Sequence, residues 1–187
     1  MEKSNFPRVM KTTAAVTALA TAVLAIAYRF FPTGFVLSAA ITTGTTFYHF
    51  AMRLVVGSIV PPCIKKPMAH RWFTQKRFEP RMYAFLRVKQ WKDHMPTYDP
   101  ASFSLRHNSL ERIVYNSCVS EAVHAVIVLF SFVPILFSLW WDALPVFLIT
   151  SILAALFDSC FIIMQRYNRP RLLHILNKRK NQCNTEL

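Results

Sequence analysis

A chain of 187 residues that is 53% hydrophobic and 14% aromatic, yet carries 22 lysines and arginines against nine acids, is too apolar for a soluble domain of that charge. A positive mean hydropathy of +0.29 beside a formal charge of +13 fits a membrane protein whose cations lie outside the lipid. Nucleic-acid binding is excluded on the same ground, because basic nucleic-acid-binding domains do not carry apolar runs of this length.

Four runs are long and apolar enough to cross a bilayer, which takes roughly 20 residues of helix. They cover about 12–31, 35–60, 119–140 and 143–165. The first also resembles a signal peptide, with Ala25-Ile26-Ala27 as a small-residue cleavage site, but its length favours a retained span. In the second, Thr42, Thr46, His49 and Arg53 fall at helical spacing and form one polar stripe. Arg53 then sits about 10 Å from the cytoplasmic end, at about 1.5 Å per residue.

The segment from about 62 to 110 interleaves Trp72, Phe73, Phe78, Tyr83, Phe85, Leu86 and Trp91 with lysines and arginines. That composition predicts an amphipathic helical segment in the headgroup layer, with rings toward the lipid and cations toward phosphate. Glu79-Pro80 suits a helix start. The run Pro96-Thr97-Tyr98-Asp99-Pro100 breaks the chain, and Asn108-x-x-Glu111 reads as a capping box for the third span. That span places Ser117, Glu121 and His124 on one face, and the fourth does the same with Ser151, Asp158 and Gln165.

Basic residues cluster before the first run (Lys3, Arg8, Lys11), between the second and third, and behind the fourth; Lys65 and Lys66 open the middle group. The positive-inside rule therefore predicts cytoplasmic termini and a cytoplasmic middle segment. The expected fold is an all-α integral membrane protein, a single membrane domain over 1–187 with about four transmembrane helices. Cys63, Cys118, Cys160 and Cys183 show no CxxC and no metal-ligand spacing, so small apolar fillers are expected and no metal. Palmitoylation of one of them is the alternative. No HxxxxD, GxSxG, P-loop or GxGxxG motif is present.

Charged groups within spans are costly unless they are paired or hydrated. His49, Arg53, Glu121, His124 and Asp158 all fall toward the cytoplasmic side, which predicts a polar cavity there, roofed by the aromatic-basic segment. Structural pairing is the alternative, Arg53 with Asp158 above all. Glu121 and His124 at i, i+3 can touch, so the carboxylate can orient the ring and raise its basicity. That arrangement suits deprotonation of an alcohol.

Trp72-Phe73, Lys76-Arg77-Phe78-Glu79, Tyr83, Val88-Lys89-Gln90-Trp91-Lys92, Glu121-x-x-His124 and Gln165-Arg166-Tyr167-Asn168-Arg169-Pro170-Arg171-Leu172 together resemble the glycosyl-diaponeurosporenoate acyltransferase family. The resemblance covers about residues 70–180, with the last motif the most specific. It implies a small multi-pass enzyme of a bacterial plasma membrane that esterifies a sugar hydroxyl of a carotenoid glycoside or related lipid with a fatty acyl chain.

The expected mechanism gives His124 the base role, Glu121 its orientation, and Arg53 or Asn168 the oxyanion. His49, Arg53, Asp158, Trp91, Lys89, Lys92, Arg166, Asn168, Arg169 and Arg171 are the candidate substrate-binding residues. No cofactor is expected; acyl-CoA or an acyl carrier protein is the possible donor, and lipid acceptor and phospholipids are the partners. Pro170 is expected to force the chain out of the helix, presenting Arg166, Asn168 and Arg169 at the mouth of the site. A non-enzymatic scaffold for lipid or pigment enzymes and another small membrane transferase, such as a methyltransferase, are the competing readings.

Overall fold

The structure, a computed structural model, describes residues 5–65 and 67–185. Lys3 and Lys66, counted among the basic flanks, lie outside the described residues, as does the side chain of Cys183.

The regular structure of the described residues is helical: α1 (Phe6–Phe30), α2 (Gly34–Cys63), α3 (Glu79–Phe85), α4 (Val88–Trp91), α5 (Leu110–Phe130) and α6 (Leu144–Thr185). Short 3-10 turns stand between them, including Arg71–Phe73, Pro100–Phe103 and Val133–Leu139. Among the described residues three helical stretches are long and apolar enough to cross a membrane: Phe6–Phe30, Leu110–Leu139 and Leu144–Gln182. The fourth expected span, in α2, is 30 residues long but less apolar, because four threonines, His49 and Arg53 interrupt it.

Several expected boundaries move. α5 begins at Leu110, where the expected capping box opens it and well ahead of the apolar run at 119, and Leu110, Ile113, Val114 and Cys118 bury one face of its polar first turns. Its cap is Ser109, whose Oγ accepts the Arg112 N–H at 3.2 Å; Asn108 instead donates to Ala101 O at 2.7 Å. The middle segment is a series of short helical pieces, with Pro80 in the first turn of α3 as its sequence predicts.

The largest departure is at Pro170, which lies inside α6 rather than ending it. An internal proline leaves the carbonyl four residues back without a helical donor and costs about 3 kcal/mol. The helix nonetheless continues to Thr185, with the side-chain anchors of Arg166 and Arg169, described below, just before the proline.

The chain gathers into two compact units, one from 5–59 and 125–159, the other from 60–124 and 160 onward. In the first, α1 and α2 approach closely at Gly44, where an added Cβ would lie 3.3 Å from Thr21 Cγ2. Small residues at such contacts let helix backbones approach within lipid. The threonines of α2 turn their hydroxyls onto carbonyls of their own helix; Thr45, for example, donates to Ile41 O at 2.7 Å. Tyr48 donates to Phe130 O at 2.9 Å. In the second unit, Asn116 ties α5 to Ser102 O at 2.8 Å, and Tyr115 donates to Ile64 O at 3.2 Å. Cys118 is buried as expected of an apolar filler, whereas Cys63 is exposed.

Candidate functional site

Buried charge concentrates in the second unit, where α6 meets α5 and the aromatic-basic segment. Arg166 donates through Nη1 to Glu121 Oε1 at 2.6 Å and through Nε to Glu79 Oε1 at 3.0 Å. Its Nη1 and Nη2 also reach Trp72 O and Thr74 O, at 3.0 and 3.2 Å. One helical turn on, Arg169 Nη2 lies 2.5 Å from Glu121 Oε2 in an ion pair and donates to Ser117 O at 3.1 Å. Arg169 Nη1 donates to Phe73 O at 3.1 Å, with the guanidinium 5.3 Å from the Phe73 ring centre. Tyr83 closes the network, its hydroxyl donating to Glu79 Oε2 at 2.7 Å. Burial, and then that donation, push the Tyr83 phenol above its ordinary range.

Glu79 and Glu121 are 2% and 0% exposed, so neither carboxylate is hydrated. Each is neutralised by an arginine, which is how a buried ion is tolerated. Two arginines and two glutamates sum to zero charge, and they fix the 71–85 segment to α5 and α6. Arg166 and Arg169, expected at the mouth of a site, are thus held by protein groups.

Beside this clamp the 87–90 turn, α3 and the 167–171 turn of α6 enclose a groove of about 480 Å³. Lys89 and Arg171 line it together with Arg87, Tyr83 and Tyr167. Arg171 donates to Tyr167 OH at 2.8 Å, and its guanidinium lies 4.6 Å from that ring's centre. Lys92 pairs instead with its neighbour Asp93 at 2.6 Å, and Trp91 Nε1 donates to Leu86 O at 2.9 Å.

His124 is half-buried and stacks on Phe161, the rings 4.5 Å apart and inclined by 5°. Asn168 is half-buried on the continuous helix, and its amide makes no hydrogen bond among the described residues. Among the described residues no group of three or more His, Cys, Asp and Glu side chains is placed to hold a metal ion.

The first unit holds the other expected groups. Arg53 is hydrogen-bonded and ion-paired to Asp158, the structural pairing anticipated for it, and Nη1 donates to His49 O at 2.9 Å. His49 is buried with neither ring nitrogen bonded among the described residues, and the same holds for Ser151 Oγ. Ser151 and Asp158 are buried here, and Gln165 is buried in the second unit, as their shared helix face predicts.

Sequence reasoning missed Glu79, read only as a helix start, and Arg87, Tyr83 and Tyr167. One signal was present: Glu79 is the sole carboxylate from Lys65 to Lys92, among nine lysines and arginines. A single acid in so basic a stretch has many cations available to hold it.

A model of the glycosyl-4,4'-diaponeurosporenoate acyltransferase family, CrtO, matches residues 69–178. No curated protein and no solved structure matches the chain. The matched stretch contains the whole Glu79–Glu121–Arg166–Arg169 clamp, the groove and His124, and spans more than half of the 187 residues. This chain is therefore a member of the glycosyl-4,4'-diaponeurosporenoate acyltransferase family.

Proposed function

We propose that the protein transfers a fatty acyl chain to a hydroxyl of a glycosylated isoprenoid or related lipid at the cytoplasmic face of a bacterial plasma membrane. In this reading α2 is a fourth span, its hydroxyls satisfied by its own carbonyls, and both termini are cytoplasmic. The observation that carries the reading is that the family match encloses the clamp, the groove and His124 together.

Transfer to an alcohol needs a base for its proton, donors for the oxyanion and a departing carrier. His124 serves as the base, its ring plane set by the Phe161 stack. Glu121 acts on the site through the two arginines that occupy its oxygens rather than through direct orientation of the imidazole. As the sugar oxygen attacks the acyl carbonyl carbon, His124 takes the hydroxyl proton. The carbonyl oxygen takes up the electron pair, with the Asn168 amide as its donor. Collapse breaks the bond to the carrier thiol, which leaves with the proton from the imidazolium. Arg53, held by Asp158, has a structural role.

Mass spectrometry of lipids and pigments from cells with and without the gene tests this reading. An ester-linked acyl product is expected only with the gene, and His124→Ala should abolish it while the protein still folds. A scaffold role is favoured by one observation, the occupation of Arg166 and Arg169 by protein groups. It predicts no difference in ester products with His124→Ala.

A further inference from the structure

The groove beside the clamp carries three cations and no carboxylate among its lining residues. Its cations differ from the rest of the basic surface in how they are held. Arg171 is fixed by the Tyr167 hydroxyl and ring, so it is set in place before any ligand arrives. A guanidinium fixed in this way loses little freedom on binding an oxyanion. Arg87 and Lys89 have no ion-pair partner among the described residues, whereas Lys92, a turn beyond, is already neutralised by Asp93.

The backbone supplies a second observation. Arg87 has φ 49° and ψ 41° and is the only non-glycine with positive φ among the described residues. The left-handed region costs a non-glycine residue about 1–2 kcal/mol, and glycine would make this turn between α3 and α4 without that cost. An arginine in its place keeps a cation on the groove at the expense of strain, a pattern that collects at ligand sites.

We propose that this groove binds the phosphates of the acyl donor's carrier, and that coenzyme A is the chemistry it fits. The proposal rests on the acyl-transfer reading above. About 480 Å³ lies within the size range of small-molecule sites and is far more than one phosphate needs. Three cations match a ligand with several phosphate charges better than a phospholipid headgroup with one. Gln90 and Gln75 also line the groove and supply neutral amides beside the cations.

The test uses the full chain in phosphatidylcholine nanodiscs, titrated calorimetrically with coenzyme A bearing no acyl chain. Binding is expected, weakened about tenfold or more by each of Arg87→Gln, Lys89→Gln and Arg171→Gln, the loss of one charge-assisted hydrogen bond. Arg179→Gln removes the same charge from the exposed end of α6 and should leave binding unchanged. Arg87→Gly relieves the backbone but should weaken binding as Arg87→Gln does. No binding to the intact chain, or equal binding in all three groove variants, overturns the proposal. So does a phosphatidylglycerol preference that depends on these residues without coenzyme A affinity, which assigns the groove to anionic lipid, or dependence on acyl carrier protein alone. Acylation assays separate the two readings. Ester formation with an unchanged KM for acyl-CoA in the groove variants defeats this proposal and leaves acyl transfer standing. Groove-dependent coenzyme A binding with no ester product under any condition defeats acyl transfer alone.

Discussion

Arg166 meets two carboxylates and two backbone carbonyls, whereas Arg53 meets one carboxylate and the carbonyls of His49 and Ala154. The first arginine sits in a network that draws on a 3-10 turn, α3, α5 and α6; the second joins only two helices. Around Arg166 and Arg169 nearly every polar atom is engaged, Arg169 Nε being an exception. Around Arg53 a buried histidine and a buried serine stay unbonded. Redundant pairing is affordable where loops bring backbone carbonyls to the charge. Among regular helices the carbonyls are already used within the helix, and Arg53 finds two of them but a single carboxylate.

The sharpest way to break this contrast is Glu121→Ala, which leaves two buried guanidiniums short of a counter-ion. It is expected to lower stability by about 3–5 kcal/mol. Thermal unfolding in detergent, followed by tryptophan fluorescence, reads the loss, and trypsin should cut the 71–92 segment faster. Asp158→Asn should cost about 3 kcal/mol, and Arg53→Met with Asp158→Leu should restore most of it, since a pair replaced whole leaves no orphan charge. If the double variant is no better than the single, the pair does more than balance itself.

Tyr83→Phe is a smaller test, worth about 1 kcal/mol for the lost hydrogen bond. It carries a pH signature. The folded phenol titrates above its unfolded value, so its contribution is complete below about pH 10 and lost as pH rises through the raised folded value. Alkaline loosening of the 71–85 segment, read by proteolysis, should change in Tyr83→Phe. Smallest is Gly44→Ala in the other unit. Thr21 needs to yield only a few tenths of an ångström, so the cost should stay below about 1 kcal/mol, with Gly44→Leu well above it.

Much of this architecture was legible because hydropathy reports what lipid demands. It failed where protein rather than lipid covers a helix. The first nine residues of α5 carry Glu111 and Arg112 and fall outside the apolar run, so only the cap signal at 108–111 marked them as helix, yet their other face is buried. At Pro170 a sound local rule met two arginine anchors at positions 166 and 169 and lost. Glu121 could be singled out because a carboxylate in an apolar run must find a partner. That partner could not be named, since Arg166 lies 45 residues away and His124 only three. The aromatic-basic segment was recognised as ordered, but short 3-10 turns have too weak a period to be read.

The clamp also sets an order of events during synthesis. Glu79 leaves the ribosome 87 residues ahead of Arg166 and Glu121 leaves 45 ahead. At about 5–20 residues per second, Glu79 waits about 4–17 s for its cation. A carboxylate cannot spend that interval ionised in a dry interior. The aromatic segment therefore stays open to water until α6 emerges, and the nascent chain is most exposed to proteases and chaperones during those seconds.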